Sequence, residues 1–234
     1  MSAKLKPLAR QVLVITGASS GHGLSTARMA AQAGAKVMLA ARDEGALRRV
    51  VEQIGQQGGT ADYVVTDVSR PQEVDRLAEE TILRFGGFDS WINNAGSGAY
   101  GELAELPLED HRQVFETNYW GVVHGSLTAL RHLKDRPHGG ALINVGSING
   151  DMASPILGAY NASKHAVKGF TQSLRIEVLK NGQPVSVTLI KPSAIGTPFP
   201  QHGRNITGKA GQLPPPLYAP DVVARAILDA AVHP

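Results

Sequence analysis

The sequence contains no cysteine among its 234 residues, which excludes disulfide bonds, a thiol nucleophile and a thiolate metal site. It has no apolar run near the ~20 residues that a helix needs to span a bilayer, and residues 1–10 lack the apolar core of a signal peptide. The net charge of +3 is small and scattered, so we expect neither nucleic acid nor a membrane as partner. The 8 histidines show no spacing typical of metal ligands. We therefore expect a cytoplasmic protein without a metal.

What the sequence does contain is a regular alternation of short apolar runs with helical segments. The predicted strands cover residues 11–16, 36–41, 61–68, 88–96, 139–147 and 185–192. The predicted helices cover residues 24–33, 43–59, a segment after Pro71, 107–133, 159–180 and 220–231. Buried strands joined by helical crossovers form a parallel sheet with helices on both faces. We predict one α/β domain over residues 1–234, a doubly wound sheet whose ligands bind beyond the carboxyl ends of the strands.

The segment TGASSGHG, residues 16–23, follows the first predicted strand and opens the first helix. In this context Gly17 permits a tight turn, Gly21 lets the backbone approach a pyrophosphate, and Gly23 lets helix and strand pack closely. Free N–H groups and the helix dipole favour an anion there, and Ser19 and Ser20 add hydroxyl donors. The alternative is a turn with a purely structural role.

The spacing of these three glycines, with several later motifs in the same order, resembles the short-chain dehydrogenase/reductase family. The motifs are TDV (66–68), NNAG (93–96), Asn118, GSI (146–148), YNASK (160–164) and KPSAIGT (191–197). The resemblance extends from about Gln11 to Ala231. It implies a Rossmann fold and an oxidoreductase that transfers a hydride between a nicotinamide cofactor and a secondary alcohol or carbonyl substrate.

The motif YNASK places Tyr160 and Lys164 four residues apart, on one face of a predicted helix. A free phenol has a pKa of about 10, and a neighbouring ammonium group lowers that pKa toward the range useful for proton transfer. The resemblance implies that Tyr160 exchanges a proton with the substrate oxygen, and that Lys164 also binds the nicotinamide ribose. It further implies that Ser147 orients the carbonyl and that Asn118 sustains a water-mediated proton relay.

Each of these four residues also has a structural alternative. Tyr160 could be a half-buried helix residue beside a solvated Lys164, and Ser147 could be a helix cap. Asn118, in the middle of a predicted helix, could be a packing or backbone partner.

The choice between NADP and NAD depends on the end of the second predicted strand. Asp43 has the spacing expected of an acid that binds the ribose 2′-OH. The resemblance, however, implies that this acid lies at the position that Ala41 occupies here. Arg42 follows, where a guanidinium matches a 2′-phosphate, so we predict NADP. In the alternative, Arg42 pairs with a surface carboxylate such as Asp43.

Further cofactor contacts follow from the resemblance. Asp67 and Val68 are expected beside adenine, and Asn94, Ala95 and Gly96 beside the ribose. Pro192, Ile195 and Thr197 complete the set, and the last two cap the nicotinamide amide.

His22 departs from the isoleucine most often found at its position in the family. Its backbone N–H still serves the pyrophosphate. Its imidazole either adds partial positive charge beside the phosphates or reaches toward the nicotinamide edge. A proton-transfer role is the least favoured interpretation, because Tyr160 supplies that function.

Residues 198–218 correspond to the variable substrate lid of the family, and their sequence does not identify the substrate. Relatives normally add a further edge strand after the last helix, so we expect that strand to be missing, which puts a tetramer built on that edge in doubt. A homodimer through the two long helices, or a homotetramer, is expected.

A nucleotide-sugar epimerase would need a larger substrate domain. The remaining alternative is a non-catalytic NADP-binding sensor.

Overall fold

The computed structural model describes residues 4–233. Residues 1–3 and Pro234, which the predicted domain includes, lie outside the described residues. The strands are β1 Val12–Thr16, β2 Lys36–Ala41, β3 Thr60–Val65, β4 Ser90–Asn93, β5 Ala99–Tyr100, β6 Gly140–Val145, β7 Val185–Ile190 and β8 Arg204–Asn205. The α-helices are α1 Gly21–Gln32, α2 Glu44–Gln56, α3 Pro71–Phe85, α4 Leu108–Phe115, α5 Gly121–Leu133, α6 Gly158–Lys180, α7 Phe199–His202 and α8 Pro220–Ala230. A π-helical segment, Glu116–Trp120, joins α4 to α5.

The main sheet has six parallel strands in the order β3-β2-β1-β4-β6-β7. β1 lies between β2 and β4, so the chain moves outward from β1 first in one direction and then in the other. This reversal opens a crevice beyond the carboxyl ends of β1 and β4, which is where ligands of doubly wound sheets bind. The predicted parallel α/β fold is confirmed.

The sheet is covered on both faces because its strands are apolar on both faces. All five residues of β1 and all six of β6 are buried. Leu13 and Ile15 pack into one core with α1 and α8, whereas Val14 packs on the opposite face with Trp91 and Leu142. This alternation follows from the two-residue period of a strand, and it explains why the strands read as continuous apolar runs.

Several boundaries differ from the prediction, and the fourth strand covers only Ser90–Asn93 of the predicted residues 88–96. The first helix begins at Gly21 rather than near Leu24, so the glycine loop supplies its first turn. The third strand ends at Val65 instead of residue 68. The predicted helix over 107–133 is interrupted by the π-helical segment, and no Gly or Pro within that segment marks it in the sequence.

The lid segment 198–218 also contains structure that the sequence does not indicate. Within it, α7 is followed by β8, which pairs in parallel with β5 to form a second, two-stranded sheet. Strands of two residues show no periodicity, so such a pairing is invisible to pattern analysis. Among the helices of residues 4–233, none combines the length and the hydropathy needed to cross a bilayer.

Candidate active site

A cleft of about 930 Å³ lies at the carboxyl ends of the parallel strands. This volume is within the range of cofactor and ligand sites. Most of the residues predicted from the sequence line it: Gly17, Ser19, Ser20, Gly21, His22, Arg42, Asp67, Val68, Asn94, Ala95, Gly96, Ser147, Tyr160, Lys164, Pro192, Ile195 and Thr197. Gly23 and Asn118 lie behind the lining, and both are buried. The fold thus brings residues from six separate loops into one crevice.

The glycine loop is tight enough to require glycine at two positions. Gly17 has φ +66°, and a Cβ added there would lie 2.8 Å from the Cα of Ala95. A Cβ added at Gly23 would lie 2.3 Å from the carbonyl oxygen of Gly17 and 2.4 Å from Asn94 Nδ2. Gly21, with φ +54°, begins α1, and the side chain of Ser20 does not cap the helix. The first N–H groups of α1 therefore remain available to an anion.

Thr16 and Asn94 fix this loop to the end of β4. Thr16 Oγ1 accepts hydrogen bonds from the backbone N–H of Asn94 at 2.9 Å and of Ala95 at 3.1 Å. In return, Asn94 Nδ2 donates to the carbonyl oxygens of Thr16 and Gly17. Sequence analysis missed the role of Thr16, although the residue directly precedes the first glycine of the motif.

His22 is held in the cleft by the same asparagine. Its Nδ1 lies 2.5 Å from Asn94 Oδ1, and an amide oxygen accepts only, so Nδ1 carries the proton. Burial lowers the pKa of His22, the hydrogen bond to Asn94 opposes that shift, and the charge of Lys164 lowers the pKa further. The imidazole is therefore neutral at neutral pH. This result disfavours the interpretation in which His22 adds positive charge beside the phosphates.

The two residues after β2 have different surroundings. Asp43 Oδ1 accepts a hydrogen bond from the backbone N–H of Ala46 at 2.9 Å, so the carboxylate is the N-cap of α2. Arg42 is exposed at the rim of the cleft and forms no ion pair with any carboxylate of residues 4–233. The alternative in which Arg42 pairs with Asp43 is not what the structure shows.

Asp67 and Val68 line the cleft at the end of β3. Asp67 accepts hydrogen bonds from the backbone N–H and the hydroxyl of Ser69, at 3.0 and 2.7 Å. Both bonds go to one carboxylate oxygen, Oδ1. Val68 is buried, and its carbonyl oxygen lies 3.0 Å from His124 Nδ1. The two residues form a fixed, partly polar wall at this end of the cleft.

Tyr160 and Lys164 lie one turn apart on α6, as predicted. Lys164 is only 5% exposed, and its ammonium donates to the carbonyl oxygen of Val145 at 2.9 Å. The same ammonium lies 5.7 Å from the centre of the Tyr160 ring. Because burial disfavours the charged form, the pKa of Lys164 falls to about 8.

The pKa of Tyr160 differs from the expectation. Burial raises the pKa of Tyr160 above its ordinary value, and the hydrogen bond with the Ser147 hydroxyl opposes that shift. The expected lowering by Lys164 is absent, because the ammonium is turned toward Val145. In this structure Tyr160 is thus a neutral phenol at neutral pH, suited to giving a proton rather than taking one.

Ser147 has the capping role named as its alternative, and it also lines the cleft. It follows β6 directly, and its Oγ accepts a hydrogen bond from the backbone N–H of Asn149 at 3.1 Å, which caps a short 3₁₀ helix. Its hydroxyl also interacts with the phenol of Tyr160. The cap fixes the position of a hydroxyl that faces the cleft.

Asn118 has the structural role named as its alternative. It is fully buried in the π-helical segment, and its Oδ1 accepts from the backbone N–H of Ser97 at 2.8 Å. Its Nδ2 donates to the Ser97 carbonyl oxygen at 2.9 Å and to Ser163 Oγ at 3.0 Å. Both amide hydrogens are therefore engaged by protein atoms. The side chain anchors the segment around Gly96, where an added Cβ would lie 3.4 Å from Asn118 Oδ1 and 3.9 Å from Lys164 Nζ.

The lid contributes residues that the sequence did not reveal. The Phe199 ring lies 5.3 Å from the Tyr160 ring, centre to centre. A Cβ added at Gly21 would lie 3.2 Å from Thr197 Cγ2, so the residue that precedes the lid lies against the glycine loop. The other lining residues that sequence analysis missed include Tyr100, Ser154, Ile156, Leu157, Leu213 and Pro214.

Within residues 4–233, no three His, Asp or Glu side chains are placed to hold a metal ion.

Similarity to known proteins agrees with this geometry. A family model described as short chain dehydrogenase matches residues 11–205. The chain is 46% identical over 232 residues to "Uncharacterized oxidoreductase YxnA" of Bacillus subtilis (strain 168), a match that covers 99% of this chain and 65% of that protein. The chain thus spans slightly less than two thirds of the length of this relative.

Two solved structures share the fold. A short chain dehydrogenase/reductase SDR from Burkholderia phymatum in complex with NAD has a TM-score of 0.82 and 31% identity, over 98% of this chain and 82% of that one. An alcohol dehydrogenase from the archaeon Thermococcus sibiricus complexed with 5-hydroxy-NADP has a TM-score of 0.81 and 29% identity, over 93% and 88%. With its parallel sheet, glycine loop and ordered motifs, the chain belongs to the short chain dehydrogenase family of oxidoreductases.

Proposed function

We propose that the chain is a single-domain, cytoplasmic, NADP-dependent oxidoreductase that interconverts a secondary alcohol and a carbonyl compound. The observation that carries this proposal is that Ser147, Tyr160 and Lys164 line the same cleft as the glycine loop. A bound nicotinamide supplies or accepts the hydride. The residues of the chain must then bind the cofactor, hold the substrate oxygen and move one proton.

The shape of the glycine loop supports a bound dinucleotide. Side chains at Gly17 and Gly23 would collide with backbone atoms, so the loop backbone itself forms the cleft wall. The first turn of α1, beginning at Gly21, presents N–H groups to a pyrophosphate. The residues present thus fit the cofactor, and Asn94 and Ala95, anchored by Thr16, form the opposite wall.

Proton transfer is assigned to Tyr160, with Ser147 as the second hydroxyl on the substrate oxygen. In carbonyl reduction, the phenol gives its proton to the oxygen of the reacting carbonyl as the carbon receives the hydride. The raised pKa of Tyr160 keeps this proton in place until the substrate is bound. Lys164, at the base of the cleft next to Gly96, is positioned to bind a ribose hydroxyl and to stabilise the phenolate that the reaction leaves.

The preference for NADP is supported by Arg42. Its guanidinium is exposed at the cleft rim and without a carboxylate partner in the described part of the chain, while the neighbouring Asp43 is engaged as a helix cap. Guanidinium groups bind phosphate with two parallel hydrogen bonds, which a ribose hydroxyl cannot match. Arg42 would therefore bind a 2′-phosphate at this rim. A ribose without that phosphate would gain little affinity from the guanidinium.

The proposal is tested by following NADPH oxidation with a panel of ketones, aldehydes and quinones. We expect turnover with at least one of them and a preference for NADPH over NADH. The variant Arg42→Ala should raise the KM for NADPH roughly 30-fold, the loss expected for a charge-assisted hydrogen bond, and leave the KM for NADH nearly unchanged. Arg48→Ala, which removes an exposed arginine outside the cleft, is the matched control.

Two outcomes would contradict parts of this proposal. Cofactor binding without turnover across the panel favours the NADP-binding sensor over the enzyme. An equal rise of the KM for NADPH and for NADH in Arg42→Ala would show that the guanidinium does not determine which cofactor is preferred.

We also propose that the chain forms a homodimer through the outer faces of its long helices. Large apolar side chains are exposed there: Trp120 and Leu127, seven residues apart and thus on one face of the π segment and α5, and Ile176 and Leu179 on α6. Large apolar side chains exposed together on the same helices support an interface there.

Light scattering should therefore give a mass of at least twice the 24.7 kDa of one chain. Leu127→Glu should shift that mass toward the monomer, because a carboxylate is costly to bury in an apolar interface. Leu83→Glu, at an exposed leucine on α3, should leave the mass unchanged. A monomer in the unmodified protein at micromolar concentration would contradict the proposal.

A further inference from the structure

One residue of the cleft wall has a backbone conformation that its side chain disfavours. Ile156 has a φ of +56°, and it is the only residue other than glycine with a positive φ among residues 4–233. A positive φ is costly for a β-branched side chain, whereas glycine and asparagine adopt it readily. Such strain persists only where the surrounding structure imposes it, and it is concentrated at ligand-binding sites. A turn with a purely structural role would be more stable with glycine or asparagine here.

The residues around Ile156 hold its backbone in this conformation. The carbonyl oxygen of Ile156 accepts a hydrogen bond from the N–H of Gly101 at 3.0 Å. Before it, the carbonyl oxygen of Ser154 accepts from Asn161 Nδ2 at 2.8 Å. After it, the carbonyl oxygen of Leu157 accepts from the N–H of Asn161 at 2.8 Å. The backbone is thus anchored on both sides of the strained residue.

The Ile156 side chain is not part of an apolar core. The residue is 46% exposed, and it belongs to none of the three cores in the part of the chain that the structure describes. It lines the cleft. It precedes Tyr160 by four residues, so the two Cα atoms are at most about 14 Å apart, and one substrate can contact both residues. Contact with a ligand therefore explains this residue better than packing does.

The charged side chains of the cleft lie mostly on its other side. Arg42, Asp43 and Asp67 follow β2 and β3, whereas Ile156 follows β6, across β1 and β4 in the sheet. Of the described residues that line the cleft after β6, none is Asp, Glu or Arg. The apolar lining residues there include Ile148, Leu157, Phe199, Leu213, Pro214, Pro215 and Pro216. An uncharged apolar group fits this surface without leaving a charge buried and unpaired.

We propose that Ile156 is a substrate-specificity residue whose side chain packs against an apolar group that the substrate carries beyond the reacting carbonyl. The substrate class is then uncharged ketones with a bulky apolar substituent, rather than small or acidic ketones. This inference rests on the proposed function, because it assumes that Tyr160 protonates the ketone oxygen. Ile156 contacts the substituent and not the reacting atoms, and the strain at residue 156 is the cost of presenting its side chain there.

Three methyl ketones that share one end test the proposal with NADPH as reductant. In 4-phenyl-2-butanone the chain carries a phenyl group, in 4-oxopentanoate a carboxylate replaces that phenyl group, and 2-butanone has neither. For the unmodified protein, kcat/KM should be at least about tenfold higher for 4-phenyl-2-butanone than for the other two, as expected when a phenyl group is buried. Equal values for the three ketones would overturn the proposal.

Substitution of Ile156 should weaken this preference. In Ile156→Asn, kcat/KM for 4-phenyl-2-butanone should fall roughly tenfold, mainly through a higher KM, because the apolar contact is lost. The value for 2-butanone should be unchanged. Ile156→Val removes one methylene from the contact and should lower kcat/KM for 4-phenyl-2-butanone about fourfold. An equal loss for both ketones, or a loss for neither, would contradict the contact with the substituent.

Thermal unfolding without ligands tests the strain separately. Ile82 is 41% exposed, so Ile82 and Ile156 bury similar apolar area, but Ile82 lies within α3 and outside the cleft. Because asparagine tolerates a positive φ, Ile156→Asn should lower the Tm less than Ile82→Asn does. Ile82→Asn should leave kcat/KM for all three ketones unchanged. A fall in Tm for Ile156→Asn that equals or exceeds that of the control would show a packing role and would overturn the proposal.

Failure of the proposed function can be distinguished from failure of this inference. If NADPH binds and none of the three ketones is reduced, the proposed reaction is wrong, and ketone binding decides the role of Ile156. Calorimetric titration of the NADPH-bound protein with 4-phenyl-2-butanone should then give a Kd about tenfold lower for the unmodified protein than for Ile156→Asn. Equal Kd values, or no binding to either protein, would overturn the inference.

Discussion

Tyr160→Phe should lower kcat for carbonyl reduction by about 10²–10⁴-fold, the range over which a positioned acid contributes to catalysis. The substitution removes only the phenolic hydroxyl. The ring that contacts Phe199 and lies over the Lys164 ammonium remains, so the affinity for NADPH should change little. Single-turnover reduction in the presence of saturating NADPH measures the chemical step, and fluorescence titration measures cofactor binding.

Tyr218→Phe provides the matched control. It removes a phenolic hydroxyl from an exposed residue at the end of the lid, outside the cleft lining, and should leave kcat unchanged. If Tyr160→Phe retained most of its turnover, the proton would have to come from another group. Ser147, which also lines the cleft, carries a hydroxyl that could supply it.

The raised pKa of Tyr160 leaves its phenol protonated in the unliganded state. Burial raises the pKa of Tyr160, so the phenol is protonated below pH 10, as an acid must be. Lys164 has its pKa lowered from 10.5 to about 8. For a base with a lowered pKa, the unfolded state binds more protons between these two values, so the contribution of Lys164 to stability rises with pH from about 8 to 10.5.

Below pH 8 Lys164 is charged although it is buried, and it therefore lowers the free energy of unfolding by its largest amount. Its hydrogen bond to the Val145 carbonyl oxygen offsets only part of that cost, since the pKa remains lowered. A residue that destabilises the fold at neutral pH and faces a cleft is characteristic of a functional site. The structure thus supports a role for Lys164 toward a ligand, although the lysine does not lower the pKa of Tyr160 here.

Much of the proposed cofactor site could be predicted from the sequence, for a physical reason. Residues such as Gly17, Arg42 and Asn94 directly follow buried strands, and the ends of parallel strands meet at one edge of the sheet. Their proximity is therefore a consequence of the strand pattern alone. Local motifs and their order were enough to place them in one cleft.

The part of the cleft that the lid lines could not be predicted in the same way. Tyr100 and Phe199 reach the cleft because two strands of two residues pair across about a hundred positions of sequence, Tyr100 with Asn205. No periodicity marks strands that short. The direction of the Lys164 ammonium and the hydrogen bonds of Asn118 depend on side-chain packing, which residue spacing does not determine. Hence the structural role of Asn118 could be recognised only from the structure.

Gly23→Ala should raise the Kd for NADPH by about 10-fold to 100-fold, the cost expected when the displaced loop loses one hydrogen bond to a charged pyrophosphate. The new Cβ would lie 2.3 Å from the carbonyl oxygen of Gly17 and 2.4 Å from Asn94 Nδ2, and both atoms are fixed by other bonds. The loop must therefore move away from the end of β4. Such overpacking should also cost about 1–3 kcal/mol of stability, measured by chemical denaturation without cofactor.

Gly169→Ala separates this effect from a general response to removing glycine from a helix. Gly169 lies within α6, it is exposed, and an added Cβ would meet nothing within 4 Å. Alanine there should stabilise the protein by about 0.5–1 kcal/mol through its higher helix propensity, with no change in the Kd for NADPH. If Gly23→Ala bound NADPH as tightly as Gly169→Ala, then the close contact of the glycine loop with Asn94 would not be what shapes the cofactor site.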